Sequence, residues 1–252
     1  MPDLIYAHCA LRAATRPSVN DRWPRMPGGS APRPLAIGSE LWLLVSTVPA
    51  TAYEEGGLAT RLTDVEWLAQ CGVAHHDVIA RAARTHPVAP FRLLTLFRSE
   101  ERATAEASRL RTKIERALAR VSNRREWVIR VAAVAGTAPA RRTKPTSGTS
   151  YLLERAAQSR AVATAPPGAR RAARQLVAEL KEYADQIVTR PSEATHVLYD
   201  GALLVSRERE ADLGNVVRQW EPRLAPVGCR VSLTGPWPPY SFVSLDGRRP
   251  SH

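Results

Sequence analysis

The residues best suited to chemistry are Cys71, His75 and His76, followed by His86. Cys71 and His75 stand four apart, which places them on one face of a helix. There a thiolate and an imidazole could share a zinc ion. Structural zinc usually takes four ligands of known spacing, and the competing reading is a buried thiol beside a helix-face histidine engaged in a hydrogen bond. No metal is assigned on this pattern. The second chemically pointed residue is Arg92, inside the apolar run Pro90-Phe91-Arg92-Leu93-Leu94-Thr95-Leu96-Phe97. A half-buried guanidinium needs a partner. Asp77 or Glu66 of the preceding helix could supply it, and so could another protein. No glycine-rich phosphate loop, Gly-x-Ser-x-Gly elbow, Cys-x-x-Cys pair or His-Glu-x-x-His is present. The expectation is therefore a protein that is not an enzyme, with no cofactor and no small-molecule substrate.

Elements must position these residues. Leu4 to Leu11 reads as a short central strand, and residues 12 to 34, rich in arginine, proline and glycine, as a mobile basic loop. Leu35 to Ile37 and Leu41 to Val48 follow as extended segments, the latter apolar enough to be covered on both faces. Thr63 with Glu66 forms a capping-box pattern and Leu62 with Trp67 a hydrophobic staple, so a helix is expected from Thr63. Its buried stripe is expected to hold Val65, Leu68, Ala69, Val73, Val78 and Ile79. Pro87 to Phe97 reads as a strand, and Ser99 opens a helix with Ala107, Leu110, Ile114, Leu118 and Val121 on one face. Glu126 to Val134 alternates as the last strand of this half.

The order of elements implies an α+β fold of two domains, each an antiparallel or mixed sheet with helices packed on it. The first, residues 1–136, is ferredoxin-like in character. A basic linker is expected over 137–148, and a second α+β domain over 149–252. That domain opens with a helix at 150–162, breaks at Pro166-Pro167-Gly168, and resumes as a long helix carrying Leu176, Leu180, Tyr183 and Ile187 up to Pro191. His196 to Tyr199 and Ala202 to Ser206 flank Asp200-Gly201, a hairpin signal that could equally be a bulge. A helix lined by Leu213, Val216, Val217 and Trp220 leads into the strand Gly228 to Leu233. The tail 235–243 then follows. Gly235, Pro236, Pro238 and Pro239 stop the ladder and stiffen the chain, while Trp237, Tyr240 and Phe242 ride on it, either pinned to their own domain or offered to a partner.

The formal charge of +12 over 252 residues would suit an acidic partner, but lysine occurs only at Lys113, Lys144 and Lys181 and the arginines are spread along helices. Nucleic acid is an unlikely partner on that distribution. Cys9, Cys71 and Cys229 lie far apart in apolar contexts, as reduced thiols do. No apolar run approaches the roughly 20 residues that span a bilayer, and the start lacks a signal-peptide pattern. A cytoplasmic protein without a membrane partner is expected.

The motifs resemble the gas vesicle protein F and L (GvpL/GvpF) family. Leu233-Thr234-Gly235-Pro236-Trp237-Pro238-Pro239-Tyr240-Ser241-Phe242-Val243 is similar to that family's C-terminal signature. Pro87 to Phe97 resembles its Pro-Val-x-Pro-x-Arg-Phe-Gly-Thr-x-Phe segment, with Leu93-Leu94 where the family usually has Phe-Gly. Trp67, His75, Glu126-Trp127, Tyr151-Leu152 and Ala202-Leu203-Leu204-Val205 fall where the family has related residues. The resemblance implies a non-catalytic assembly protein, associated with gas vesicles, that binds the hydrophobic major shell protein and other accessory proteins. A minor structural component of the shell is the alternative. Arg92, Phe97, Trp237, Tyr240 and Phe242 become candidate partner-binding residues, with a sheet edge or apolar groove near Arg92 or Trp237 holding the shell protein. Trp67, His75, Pro90, Gly235 and Pro236 become structural candidates.

Overall fold

The computed structural model describes residues 3–134, 167–192, 194 and 196–245. The expected linker at 137–148, the helix at 150–162 and Tyr151-Leu152 lie outside them. The chain forms two units, one built from the residues up to Asn123 together with the segment that begins at Trp237, the other from Arg124 to Pro236. Both are α+β.

In the first unit, β1 (Leu4–Arg12) is buried along almost its whole length because it is central. It pairs antiparallel with β3 (Leu41–Val48) from Leu4↔Val48 to Arg12↔Leu41, and β2 (Arg33–Gly38) pairs with β3 on the outside. The register shifts between Ala7 and Cys9. A bulge there reverses the alternation of faces: Ile5, Ala7 and Ala10 enter one core, whereas Leu4, Tyr6, Cys9 and Leu11 face the other side.

The expected strand from Pro87 to Phe97 is two strands. β4 (Val88–Pro90) pairs with Cys9 to Leu11, and β5 (Leu96–Phe97) pairs with Ile5 and Tyr6. The Phe91 N–H donates to the His8 carbonyl and the Ala7 N–H to the Thr95 carbonyl. Arg92, Leu93 and Leu94 are thereby extruded opposite a single step of β1. The short helices α1 (Ala50–Tyr53) and α2 (Glu55–Arg61) lead to α3 (Val65–Ala83).

α3 corrects two expectations. Its N-cap is Asp64, whose carboxylate accepts the Trp67 N–H at 3.0 Å; aspartate caps as well as threonine, and the helix starts after it. Its buried face holds Trp67, Cys71, Ala74, His75, Val78, Ile79 and Ala82. Val65 and Val73, expected inside, are 80% and 61% exposed. Val78 and Ile79 of the expected stripe are buried, but Val65, Ala69 and Val73 fall off the inner face, because Trp67, Cys71 and His75 fill the space under the helix.

The helix expected from Ser99 begins there, the Ser99 hydroxyl accepting the Arg102 N–H, but bends at Leu110 into α4 (Glu100–Arg109) and α5 (Arg111–Val121). Its five expected apolar residues are all buried. The loop at 12–34 is anchored rather than hanging free. Met26 is 1% exposed in the core with Tyr6, Tyr53 and Trp67, and Arg81 holds the Arg22 carbonyl while lying over the Trp23 ring.

The second unit contains β6 (Arg124–Ala133), α6 (Pro167–Leu180), β7 (Gln186–Thr189), β8 (Val197–Ser206), α7 (Glu210–Leu224) and β9 (Cys229–Trp237), with strand order β7-β8-β6-β9. β6, read from sequence as the last strand of the first half, pairs with β8 from Arg124↔Ser206 to Ala132↔Val197. Pro167 and Gly168 start α6, and the chain before them, where a break was expected, lies outside the described residues. α6 ends at Leu180, and Ile187 lies on β7.

Asp200-Gly201 makes no turn, since β8 runs straight through it. The Asp200 carboxylate, 5% exposed, takes Arg130 on one oxygen and Arg190 on the other. Burial alone would raise its pKa, but the hydrogen bonds from Arg190 and Arg130 hold it below the usual carboxylate range. Two arginines thus do for this strand what a turn would otherwise have done for the aspartate. Leu176, Leu180, Leu213, Val216 and Trp220 pack on Ile129, Val131, Leu203 and Val205 to form the core.

Candidate functional site

The extruded segment is held from beneath by buried polar side chains. His75, on the inner face of α3, places Nε2 at 3.2 Å from the Phe91 carbonyl and Nδ1 at 2.9 Å from the Tyr6 hydroxyl. A carbonyl only accepts, so Nε2 carries the proton and Nδ1 accepts from Tyr6. The Tyr6 hydroxyl in turn accepts the Leu94 N–H at 3.1 Å. Burial pushes His75 down to about 4 and Tyr6 up, so both are neutral at ordinary pH. The Thr95 N–H and hydroxyl both donate to the Arg92 carbonyl, closing the loop.

Leu94 takes φ 63, the left-handed region that glycine enters without cost. Here a leucine occupies that region, its N–H held by the Tyr6 hydroxyl. What the scaffold presents is Arg92, exposed rather than half-buried as expected, and Leu93, 39% exposed.

His8 backs the same cluster. Its ring stacks on His75 at 5.7 Å, its Nε2 lies 2.9 Å from the Ser46 hydroxyl, and burial lowers its pKa to about 3. Tyr53 adds an edge contact to Tyr6 and a hydroxyl 3.7 Å from the Cys71 sulfur. Sequence reading missed Tyr6, His8, Ser46 and Tyr53 as polar supports. Nothing local marks them, for they meet only through long-range packing, although a histidine in an otherwise apolar central strand is the kind of signal that asks for a partner.

The neighbouring residue of α3 points outward. His76 Nδ1 lies 3.1 Å from the Tyr240 hydroxyl, and its ring is 5.4 Å from that of Trp237. Trp237 and Tyr240 are 40% and 38% exposed. Phe242 turns the other way, 3% exposed, its carbonyl accepting from Arg120, while Val243 and Leu245 enter the core under α4 and α5. Consecutive histidines of α3 therefore hold the Phe91–Thr95 loop and the aromatic tail, the two stretches singled out in the sequence.

The remaining candidates lie elsewhere. Phe97 is half-buried on β5 opposite Ile5, Pro90 is buried opposite Cys9, and Trp67 is 6% exposed against Tyr53. Gly235 has φ 144, and a Cβ there would come within 3.0 Å of both the Glu126 carbonyl and the Trp127 ring; it precedes Pro236 through a cis peptide bond. Cys71 and His75 face inward while His76 faces the tail. Among the described residues no three His, Cys, Asp or Glu side chains converge on a point. Nor is any described helix long and apolar enough to cross a membrane.

Residues 4–244 match the family model for the gas vesicle synthesis protein GvpL/GvpF. The chain belongs to the GvpL/GvpF family. It is 34% identical over 233 residues to gas vesicle protein L of Streptomyces sp. (strain CB03234), covering 86% of this chain and 85% of that one. Its fold is similar to the crystal structure of GvpF from Anabaena sp. PCC7120, with a TM-score of 0.68 at 12% identity, covering 96% of this chain and 98% of that one. GvpF from Microcystis aeruginosa gives a TM-score of 0.62 at 12% identity, covering 95% and 98%. Membership of GvpL/GvpF makes this a gas vesicle synthesis protein, of a family that is generally non-enzymatic.

Proposed function

We propose that this chain is a cytoplasmic, chaperone-like assembly factor that binds the hydrophobic major shell protein, together with other accessory proteins, while gas vesicles form. The observation that supports the reading is the exposure of Arg92, Leu93, Trp237 and Tyr240 on two segments of the first unit, each anchored to one of two consecutive histidines of α3. Exposed aromatic and arginine side chains on a rigid support are the usual anchors of protein interfaces. Leu93 is an addition to the expected set. In this reading the buried Phe242 and the half-buried Phe97 support the presented residues from within.

The test is retention of the shell protein by tagged wild type and by Leu93→Asp and Trp237→Ala variants with unchanged melting temperatures. Wild type retains it, and each variant retains about tenfold less. Absence of retention by wild type removes the reading, and equal retention by all three returns both residues to packing.

A further inference from the structure

The outward face of α3 is the least explained apolar surface in the first unit. Single exposed valines are ordinary on a protein, but Val65 and Val73, at 80% and 61% exposure, share their face with Ala69 and lie where sequence expected the core. Ala69, Val73 and Ala74 line an open groove of about 440 Å³ with Pro24 on one wall. The loop that carries Pro24 is pinned by Arg81, through the Arg22 carbonyl at 3.0 Å and the Trp23 ring at 5.1 Å. The tail aromatics are pinned by His76. These two anchors point about 140° apart around the helix axis, so the exposed face of α3 runs between two fixed shoulders.

Charge sets what fits there. Glu66 and Asp77 both line the groove, and neither forms an ion pair among the described residues. Eleven positions apart on a helix, they lie on one face and about 16 Å from each other. A chain of formal charge +12 thus presents an apolar groove with an uncompensated carboxylate towards each end. A low groove floor of small side chains admits a helix at close approach.

We propose that the outward face of α3 docks a partner's amphipathic helix that carries an apolar stripe flanked by basic residues about three turns apart. Its apolar stripe covers Ala69 and Val73, and its basic residues meet Glu66 and Asp77. The groove is a different surface from the Arg92–Leu93 tip, and its occupation does not depend on whether the shell protein binds there. A second copy of this chain is a less suitable occupant, since its own outward α3 face carries the same two carboxylates and the apolar face of its α7 is buried in its own core.

The probe is a fluorescently labelled, acetylated alanine/leucine helix about four turns long, with lysines at the spacing of Glu66 and Asp77. Its counterpart carries glutamates at the lysine positions. Anisotropy titrations use the full chain, wild type and two variants, Val73→Glu and the double variant Glu66→Lys/Asp77→Lys. These positions are exposed, and unchanged melting temperatures confirm folding. Wild type binds the lysine helix, the glutamate helix binds at least tenfold more weakly, and each variant loses about tenfold for the lysine helix. No binding of the lysine helix at roughly 1 mM, equal binding of the two helices, or unchanged binding by the variants overturns the proposal.

Discussion

At the scale of single residues, the notable chemistry is the conversion of histidines into neutral struts. His75 donates through Nε2 and accepts through Nδ1, a role that only the uncharged ring can fill. His75 and His8 have folded-state values of about 4 and about 3 against 6.5 for an unperturbed imidazole, each lowered chiefly by burial. The unfolded chain therefore binds more protons below pH 6.5. Stability contributed by the two rings is fully present above that pH and is lost as pH falls from 6.5 towards 4 for His75 and towards 3 for His8. For His75 the loss reaches roughly 3 kcal/mol. Urea midpoints measured from pH 7 to pH 4.5 should fall steeply. Below pH 6.5 the unfolding free energy of His75→Gln should fall less steeply than that of wild type, by about 1.4 kcal/mol per pH unit. Parallel slopes for wild type and variant would sink the account.

At the scale of elements, the turn between β4 and β5 shows how a strand read from sequence becomes a presented loop. Pro87 to Phe97 is apolar enough to pass for one strand, yet β1 accepts it only at its two ends. Leu94 at φ 63 carries the conformational cost of the extrusion. Because its side chain also packs on the core beside Tyr6, replacing it mixes two effects, and comparing two truncations separates them. Leu94→Gly should be more stable than Leu94→Ala by about 1 kcal/mol, the reverse of their order in a regular helix. Equal chemical-denaturation midpoints for the two would show that the left-handed backbone is not retained in solution. The same element explains why Arg92 was misjudged. An apolar strand would have half-buried it, whereas an extruded loop delivers it to solvent.

At the scale of the molecule, the tail is part of the first unit's core. Phe242 and Leu245 are 3% and 4% exposed, although they follow a strand of the second unit. Ending the chain after Pro239 leaves β9 and Trp237 in place but removes both side chains. About 3–6 kcal/mol of burial should be lost, and only the thermal transition of the first unit should move to lower temperature in calorimetry. If that transition were unchanged, the segment would be an appendage and not a core element.

Much was decided locally. Ser99 with the acidic residues after it, the apolar face from Ala107 to Val121 and the central strand at Leu4 are written in neighbouring residues, because capping and helical periodicity are short-range effects, whereas the stop expected at Gly235 and Pro236 is absent, since β9 runs through both to Trp237. The tail and Pro-Val-x-Pro motifs were enough to point to the family. What the tertiary structure alone decided depends on partners distant in the chain. Asp200-Gly201 carries the local signal of a turn but stays in a strand, since Arg130 and Arg190 take the carboxylate. β6 alternates as any strand does, and only its ladder with β8 assigns it to the second sheet. The valines of α3 could not be told from its core by hydrophobicity, because what chooses the inward face is the fit of Trp67, Cys71 and His75 beneath the helix. Local chemistry determined which stretches are helical and which extended, and the packing of side chains far apart in sequence determined where several of them end, which face each buries and which residues reach the surface.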